Sequence, residues 1–169
     1  MKKILIVSAT NNSNFTLSKK LEKISSKLGA DVKTISLESF LLPLYVNDME
    51  IDVKKQNKDT VNKLSKYFIE TDGIIICAPE YNGSIPPIIV NAIAWISVTT
   101  DNWRDGFNNK IALICTSSGG PGIKFLSSMR LQLEHLGSIV LSRTISVNKS
   151  NPLNEDSAQK ILNQFIKLL

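Results

Sequence analysis

Histidine and cysteine are almost missing from this chain: His135 stands alone, and Cys77 and Cys115 are the only cysteines among 169 residues. One histidine leaves little from which to build a metal site or a Ser-His or Cys-His pair. Each cysteine closes an apolar run, the setting of a small buried hydrophobe, and a redox pair would need closer spacing. If the chain is an enzyme, a cofactor is expected to carry its chemistry.

Other absences narrow the field further. No run of about 18 apolar residues occurs. The opening MKKILIVSATNN lacks the longer apolar stretch and the small-residue cleavage site of a signal peptide. A soluble cytoplasmic protein without a membrane partner is the expectation. The net charge of +5 is spread over Lys19, Lys20, Lys23, Lys27, Lys54, Lys55, Lys58, Lys63 and Lys66 among acids. No arginine-rich stripe with interleaved aromatics appears, so no nucleic-acid partner is expected, and the charge reads as solubility with some attraction for phosphorylated ligands. With 43% hydrophobic residues the chain suits one buried core and is too short for two, so residues 1–169 are expected to form one domain.

What is present is an alternation of strands and helices. Lys3 to Ala9, Thr71 to Ala78 and Asn109 to Ser117 are continuous apolar runs of strand length, as in strands buried on both faces of a parallel sheet. Asp31 to Ser36 and Ile139 to Val147 read as two more strands. Helical spacing of apolar residues marks Phe15 to Leu28, Asp59 to Glu70, Ile88 to Val98, Ile123 to Leu136 and Asn154 to Leu169. Asp59 is placed to cap the second of these, and Pro86 and Pro87 suit the first turn of the third. The fold class is therefore α/β: a five-stranded parallel sheet with helices on both faces, joined by right-handed crossovers. Only Phe40 to Lys58 reads as a long irregular stretch, a length usually tied to a site or a partner.

In such a sheet a ligand sits beyond the carboxyl ends of the strands, where strand order reverses. Three loops reach that edge. In the first, Ser8, Thr10, Asn12, Ser13 and Asn14 run into a helix N-terminus; they suit an anion such as a phosphate and equally suit an ordinary capping cluster. In the second, APEYNGSIPP, Gly83 could let backbone approach a flat ligand, or the stretch could be a simple turn before a helix. The third, TSSGGPG, offers glycines for backbone contact with a planar ring, although glycine-rich turns are common. Neither the Walker pattern nor G-x-G-x-x-G is present.

The stretch PEYNGSIPPIIVNAIAW, from Pro79 to Trp95, resembles the NADPH-dependent FMN reductase family. So do KILIVSA at the start, LPLYVND at Leu42 to Asp48, and KIALICTSSGGPG. The resemblance implies a flavodoxin-like three-layer sandwich with strand order 2-1-3-4-5. It also implies FMN as cofactor, NADPH or NADH as electron donor, and a small-molecule acceptor such as a quinone, free flavin or azo compound. The FMN phosphate would lie on the first loop. Pro79, Glu80, Tyr81, Asn82, Gly83 and Ser84 would contact the ring through backbone amides, and Ser117, Ser118, Gly119 and Gly120 would flank its pyrimidine side. FMN would carry the chemistry, with no catalytic side chain and no metal. Family members form homodimers or homotetramers, which implies a partner near Leu42 to Asp48. The family's G-S-x-R opening is replaced here by Ser8, Ala9, Thr10 and Asn11. A phosphate would then depend on backbone amides and hydroxyls, without a bidentate arginine. A flavodoxin-like electron carrier or a non-catalytic flavin-binding module are the alternative readings; carriers of that kind are typically acidic, and this chain is basic. A 2′-phosphate on the donor would need a cation, for which Arg104, Lys124 and Arg130 are candidates if they are not simply solvated surface.

Overall fold

A computed structural model describes all residues, Met1 to Leu169. Strands β1 (Lys3–Ser8), β2 (Asp31–Ser36), β3 (Gly73–Cys77) and β4 (Ile111–Ser117) form a parallel sheet in the order β2-β1-β3-β4. The far side of β4 pairs with two short strands, β5 (Ile139–Val140) and β6 (Ile145–Val147), which share the fifth position. The order is thus 2-1-3-4-5, the flavodoxin-like arrangement.

The apolar runs alternate between two cores because successive side chains on a strand point to opposite faces. Leu5, Val7, Ile74, Ile76, Ala112 and Ile114 face helices α2 (Ile51–Ile69), α3 (Pro87–Thr99) and α4 (Ile123–His135). Ile4, Ile6, Ile75, Cys77, Leu113 and Cys115 face α1 (Ser13–Lys27) and α5 (Glu155–Leu168). No helix is long and apolar enough to cross a membrane.

Two sequence expectations need correction. The second helix begins at Ile51, with Glu50 rather than Asp59 at its N-cap, so the irregular stretch ends eight residues earlier than Lys58. The first two turns, IDVKKQNK, have no apolar stripe and lie mostly exposed. Lys and Gln propensity extends the helix there without core packing to signal it. The fifth strand is also broken. The Arg130 guanidinium donates to the carbonyls of Val140, Leu141 and Ser142 at 3.3, 2.8 and 3.3 Å, where the pairing with β4 is interrupted. Arg130 is therefore occupied by structure and is not free to read a donor phosphate.

The cysteines sit opposite one another, Cys77 on β3 in register with Cys115 on β4, both fully buried with free thiols. Burial first, and then the hydrogen bond with Cys77, push the Cys115 thiol well above its ordinary value of 9.0. A raised folded-state value stabilises the fold fully below the unfolded thiol's titration and loses that contribution as pH rises above it. Stability to urea is expected to fall as pH passes 9, by at most about 1.4 kcal/mol per pH unit from this group. Cys115→Ala should flatten that slope, and an unchanged slope would refute the assignment.

Candidate functional site

The loops after β1, β3 and β4 leave adjacent strands at one end of the sheet, and their hydrogen bonds bring them together. In the first loop the buried Ser8 hydroxyl donates to the Thr10 carbonyl at 2.7 Å, and the buried Thr10 hydroxyl donates to Asn12 Oδ1 at 2.7 Å. These hydroxyls shape the loop from within. Asn12 and Ser13 are exposed.

Asn14 does something the sequence did not show. Its side chain is fully buried; Nδ2 donates to the Ser117 carbonyl at 2.8 Å and Oδ1 accepts the Ser117 N–H at 2.8 Å. Both ends of the amide are engaged, so its side chain clamps the first loop to the third. The α1 terminus itself stays open. Asn12 occupies the N-cap position without a side-chain cap bond, the first turn contains no acid, and the amides of Ser13, Asn14 and Phe15 have no partner within the protein. The α5 terminus differs, with Asn154 capping Ser157 and Glu155 and Asp156 in the first turn. Unpaired N–H groups at an acid-free helix start favour an anion.

The second loop is a tight reversal. Asn82 and Gly83 have φ of 50° and 70°, and Tyr81 and Ser84 exchange backbone bonds of 3.2 and 2.9 Å, the pattern of a type I′ Asn-Gly turn. A Cβ on Gly83 would also lie 3.0 Å from Lys124 Cδ. Glycine is thus required by the turn, beyond any ligand. Of the six residues expected to offer amides, Pro79 has none, and the N–H groups of Tyr81 and Ser84 each donate to the other's carbonyl. The Glu80 amide donates to Ser118 Oγ at 2.7 Å. Only Asn82 and Gly83 keep free N–H groups.

Glu80 acts as a strut between loops. Its carboxylate accepts the Phe125 N–H at 3.0 Å, capping α4, while Ser118 Oγ lies 2.9 Å from Thr116 Oγ1. Loops two and three are therefore tied on both sides. Glu80→Ala is expected to cost about 1 kcal/mol through the lost cap, lowering Tm by about 2–4 °C; a calorimetric Tm within 1 °C of the parent would count against the strut.

In the third loop Gly122 caps α4 at φ 65°, where a Cβ would crowd Thr116 Cγ2 at 2.8 Å. Gly119 and Gly120 differ: a Cβ on either meets nothing within 4 Å. Packing does not require glycine at either position. Ser117 and Ser118 are half-buried beside it. A neighbouring apolar cavity of about 270 Å³ lies between the 37–42 segment and α3, lined by Leu37, Leu42, Ile88 and Ala92 among others. Its Glu38 accepts the Asn11 N–H at 2.6 Å, joining it to the first loop.

The stretch after β2 is fastened to α3. The Pro43 carbonyl accepts from Asn91 Nδ2 at 3.0 Å and from Trp95 Nε1 at 2.8 Å, and Tyr45 packs edge-on to Trp95 at 5.4 Å. His135, at the far end of α4, stacks on Trp103 at 5.6 Å and takes no part in the site.

A parallel sheet in the order 2-1-3-4-5, covered by helices on both faces, defines the flavodoxin-like fold. More narrowly, the chain belongs to the NADPH-dependent FMN reductase family, whose sequence model matches residues 1–152. It is 34% identical over 104 residues to the quinone reductase of Escherichia coli (strain K12), covering 60% of this chain and 53% of that protein. The chain thus spans about half the length of that curated relative. To the NADPH azoreductase of Bacillus sp. (strain OY1-2) it is 22% identical over 151 residues, 86% of this chain and 78% of that one. Among solved structures, FerB, a flavoenzyme NAD(P)H:(acceptor) oxidoreductase from Paracoccus denitrificans, superimposes with TM-score 0.75 at 20% identity, covering 99% and 95% of the two chains. An archaeal flavodoxin superimposes with TM-score 0.65 at 12% identity, covering 98% of each. These two likenesses speak for the fold.

Proposed function

We propose that this chain is an NAD(P)H-dependent, FMN-binding oxidoreductase that passes hydride from nicotinamide to FMN and on to a small acceptor such as a quinone, free flavin or azo compound. The observation that carries this reading is the pairing of an uncapped, acid-free α1 terminus with an open Gly119–Gly120 ledge, held in register by the Asn14 clamp. One end suits a phosphate and the other a flat ring.

When bound, FMN supplies hydride acceptance and return, so no side chain need act as acid or base. The amides of Ser13, Asn14 and Phe15, with the hydroxyl of Ser13 and the amide side chain of Asn12, would hold the phosphate. Ser8 and Thr10 would shape that loop. The free amides of Asn82 and Gly83 would donate to the polar edge of the ring, in a crevice whose donors are already fixed in place. Ser117, Ser118, Gly119 and Gly120 would border its pyrimidine side. Pro79, Glu80, Tyr81 and Ser84 would keep the turn in position, with Tyr81, 45% exposed, free to cover the ring. The chain would work as one domain in the cytoplasm. It would form a homodimer or homotetramer through the exposed Leu41, Leu44, Val46, Val90 and Val98 around α3, where large apolar side chains meet solvent.

Fluorescence titration of flavin-free protein tests the binding half of this reading. FMN is expected to bind with one-to-one stoichiometry, and riboflavin, lacking the phosphate, at least about tenfold more weakly, a difference of about 1.4 kcal/mol. Equal affinities would remove the phosphate from the first loop.

A further inference from the structure

Lys124 stands where a helix least favours a cation. It is the second residue of α4, whose first turn contains no acid, and the positive end of the helix dipole lies beside it. No carboxylate pairs with its ammonium. The acid at this corner, Glu80, accepts the Phe125 N–H instead. The Lys124 side chain folds back over the Asn82–Gly83 turn: a Cβ on Gly83 would lie 3.0 Å from its Cδ and 3.4 Å from its Nζ.

A lysine that is ill placed for helix stability and unpaired, yet laid along a turn, is explained by what that turn faces. The Asn82 and Gly83 amides are the free N–H groups of the second loop, and they would meet the polar edge of the flavin ring. Hydride from nicotinamide brings FMN two electrons and one proton, so the ring gains one negative charge. Passing the two electrons and the proton to an acceptor removes it again. A fixed cation beside the ring stabilises the reduced state more than the oxidised one. Lys124 brings such a cation against Gly83.

We infer that Lys124 sets the reduction potential of the bound flavin, its ammonium at the Asn82–Gly83 turn holding the charge that FMN gains on reduction. This rests on the reading of the three loops as an FMN site and adds to it a side chain that tunes the cofactor. The methylene stem covers Gly83 while the head group supplies the charge. Lys124 is exposed, so its influence on the flavin weakens as salt screens it.

Reductive titration of FMN-loaded protein against a reference dye reads this without a nicotinamide and without turnover. Lys124→Met keeps an apolar stem over Gly83 and drops the charge. It should lower the midpoint potential by about 30 mV, the two-electron equivalent of a tenfold loss of preference for reduced over oxidised FMN. In about 1 M salt the deficit should shrink. Lys124→Arg should restore the parent potential, and Lys160→Met, an equal charge change on exposed α5, should leave it unmoved. A parent-like potential in Lys124→Met, or an equal fall in Lys124→Arg, overturns the inference. If the parent protein retains no FMN, the flavin reading falls and this inference with it. If the potential shifts as stated while neither NADPH nor NADH reduces the flavin, the reductase reading fails and the role of Lys124 stands.

Discussion

Asn14→Leu should lower Tm by about 5–10 °C and FMN affinity by about tenfold or more. The substitution removes both bonds to Ser117 and leaves a backbone N–H and a carbonyl without partners where the two loops meet. Each orphaned group costs about 1–3 kcal/mol where it is buried. Part of that is recovered by water at the half-buried Ser117, so about 2–3 kcal/mol remains. For a protein of this length that corresponds to the stated Tm change. Flavin affinity falls because loops one and three would lose their fixed spacing, and the phosphate and ring sites move apart. Asn14→Asp is the sharper control. It keeps the acceptor for the Ser117 N–H but sets a second carboxylate oxygen against the Ser117 carbonyl. Its folded carboxyl should resist ionisation, so the variant is expected to regain stability as pH falls toward about 4 and lose it as pH rises. Calorimetry across pH measures this, and a pH-independent deficit equal to that of leucine would contradict the paired-amide geometry.

Gly83→Val is expected to weaken FMN binding at least about a hundredfold, about 2.7 kcal/mol, with far-UV circular dichroism unchanged. A β-branched residue at φ 70° costs about 1–3 kcal/mol, and its Cβ would press on Lys124 Cδ 3.0 Å away. The turn would therefore abandon its type I′ form, turning the free amides of Asn82 and Gly83 away from the crevice. Gly83→Asn tolerates the left-handed conformation better and should retain intermediate affinity. Parent-like flavin binding by the valine variant would mean that these amides do not hold the ring.

The sheet was legible because its strands are buried on both faces, so Ile4 to Val7 and Ile74 to Cys77 announce themselves as unbroken apolar runs. The start of α2 was not, because a helix turn resting on solvent has no stripe to read. Nor was the break in the fifth strand, where carbonyls turn to Arg130 of α4. The three functional loops could be located by topology and by their glycines, but roles within them could not. Asn14 has the composition of an anion ligand, and only its partner, 103 residues away, shows it to be a clamp. Glu80 sits in the family-like PEYN stretch, yet its work is to cap α4, 45 residues on. Gly119, Gly120 and Gly122 read alike in sequence. The fold needs the third for its backbone and leaves space around the other two.

The proposed function stands on hydride transfer from a nicotinamide donor into a flavin held by these loops. Anaerobic mixing of FMN-loaded protein with excess NADPH, followed at the visible flavin band, tests it most directly. Rapid bleaching that air or a quinone reverses is the expected result; a band that stays intact on tightly bound flavin, with NADPH or with NADH, would rule out hydride transfer and identify an electron carrier instead.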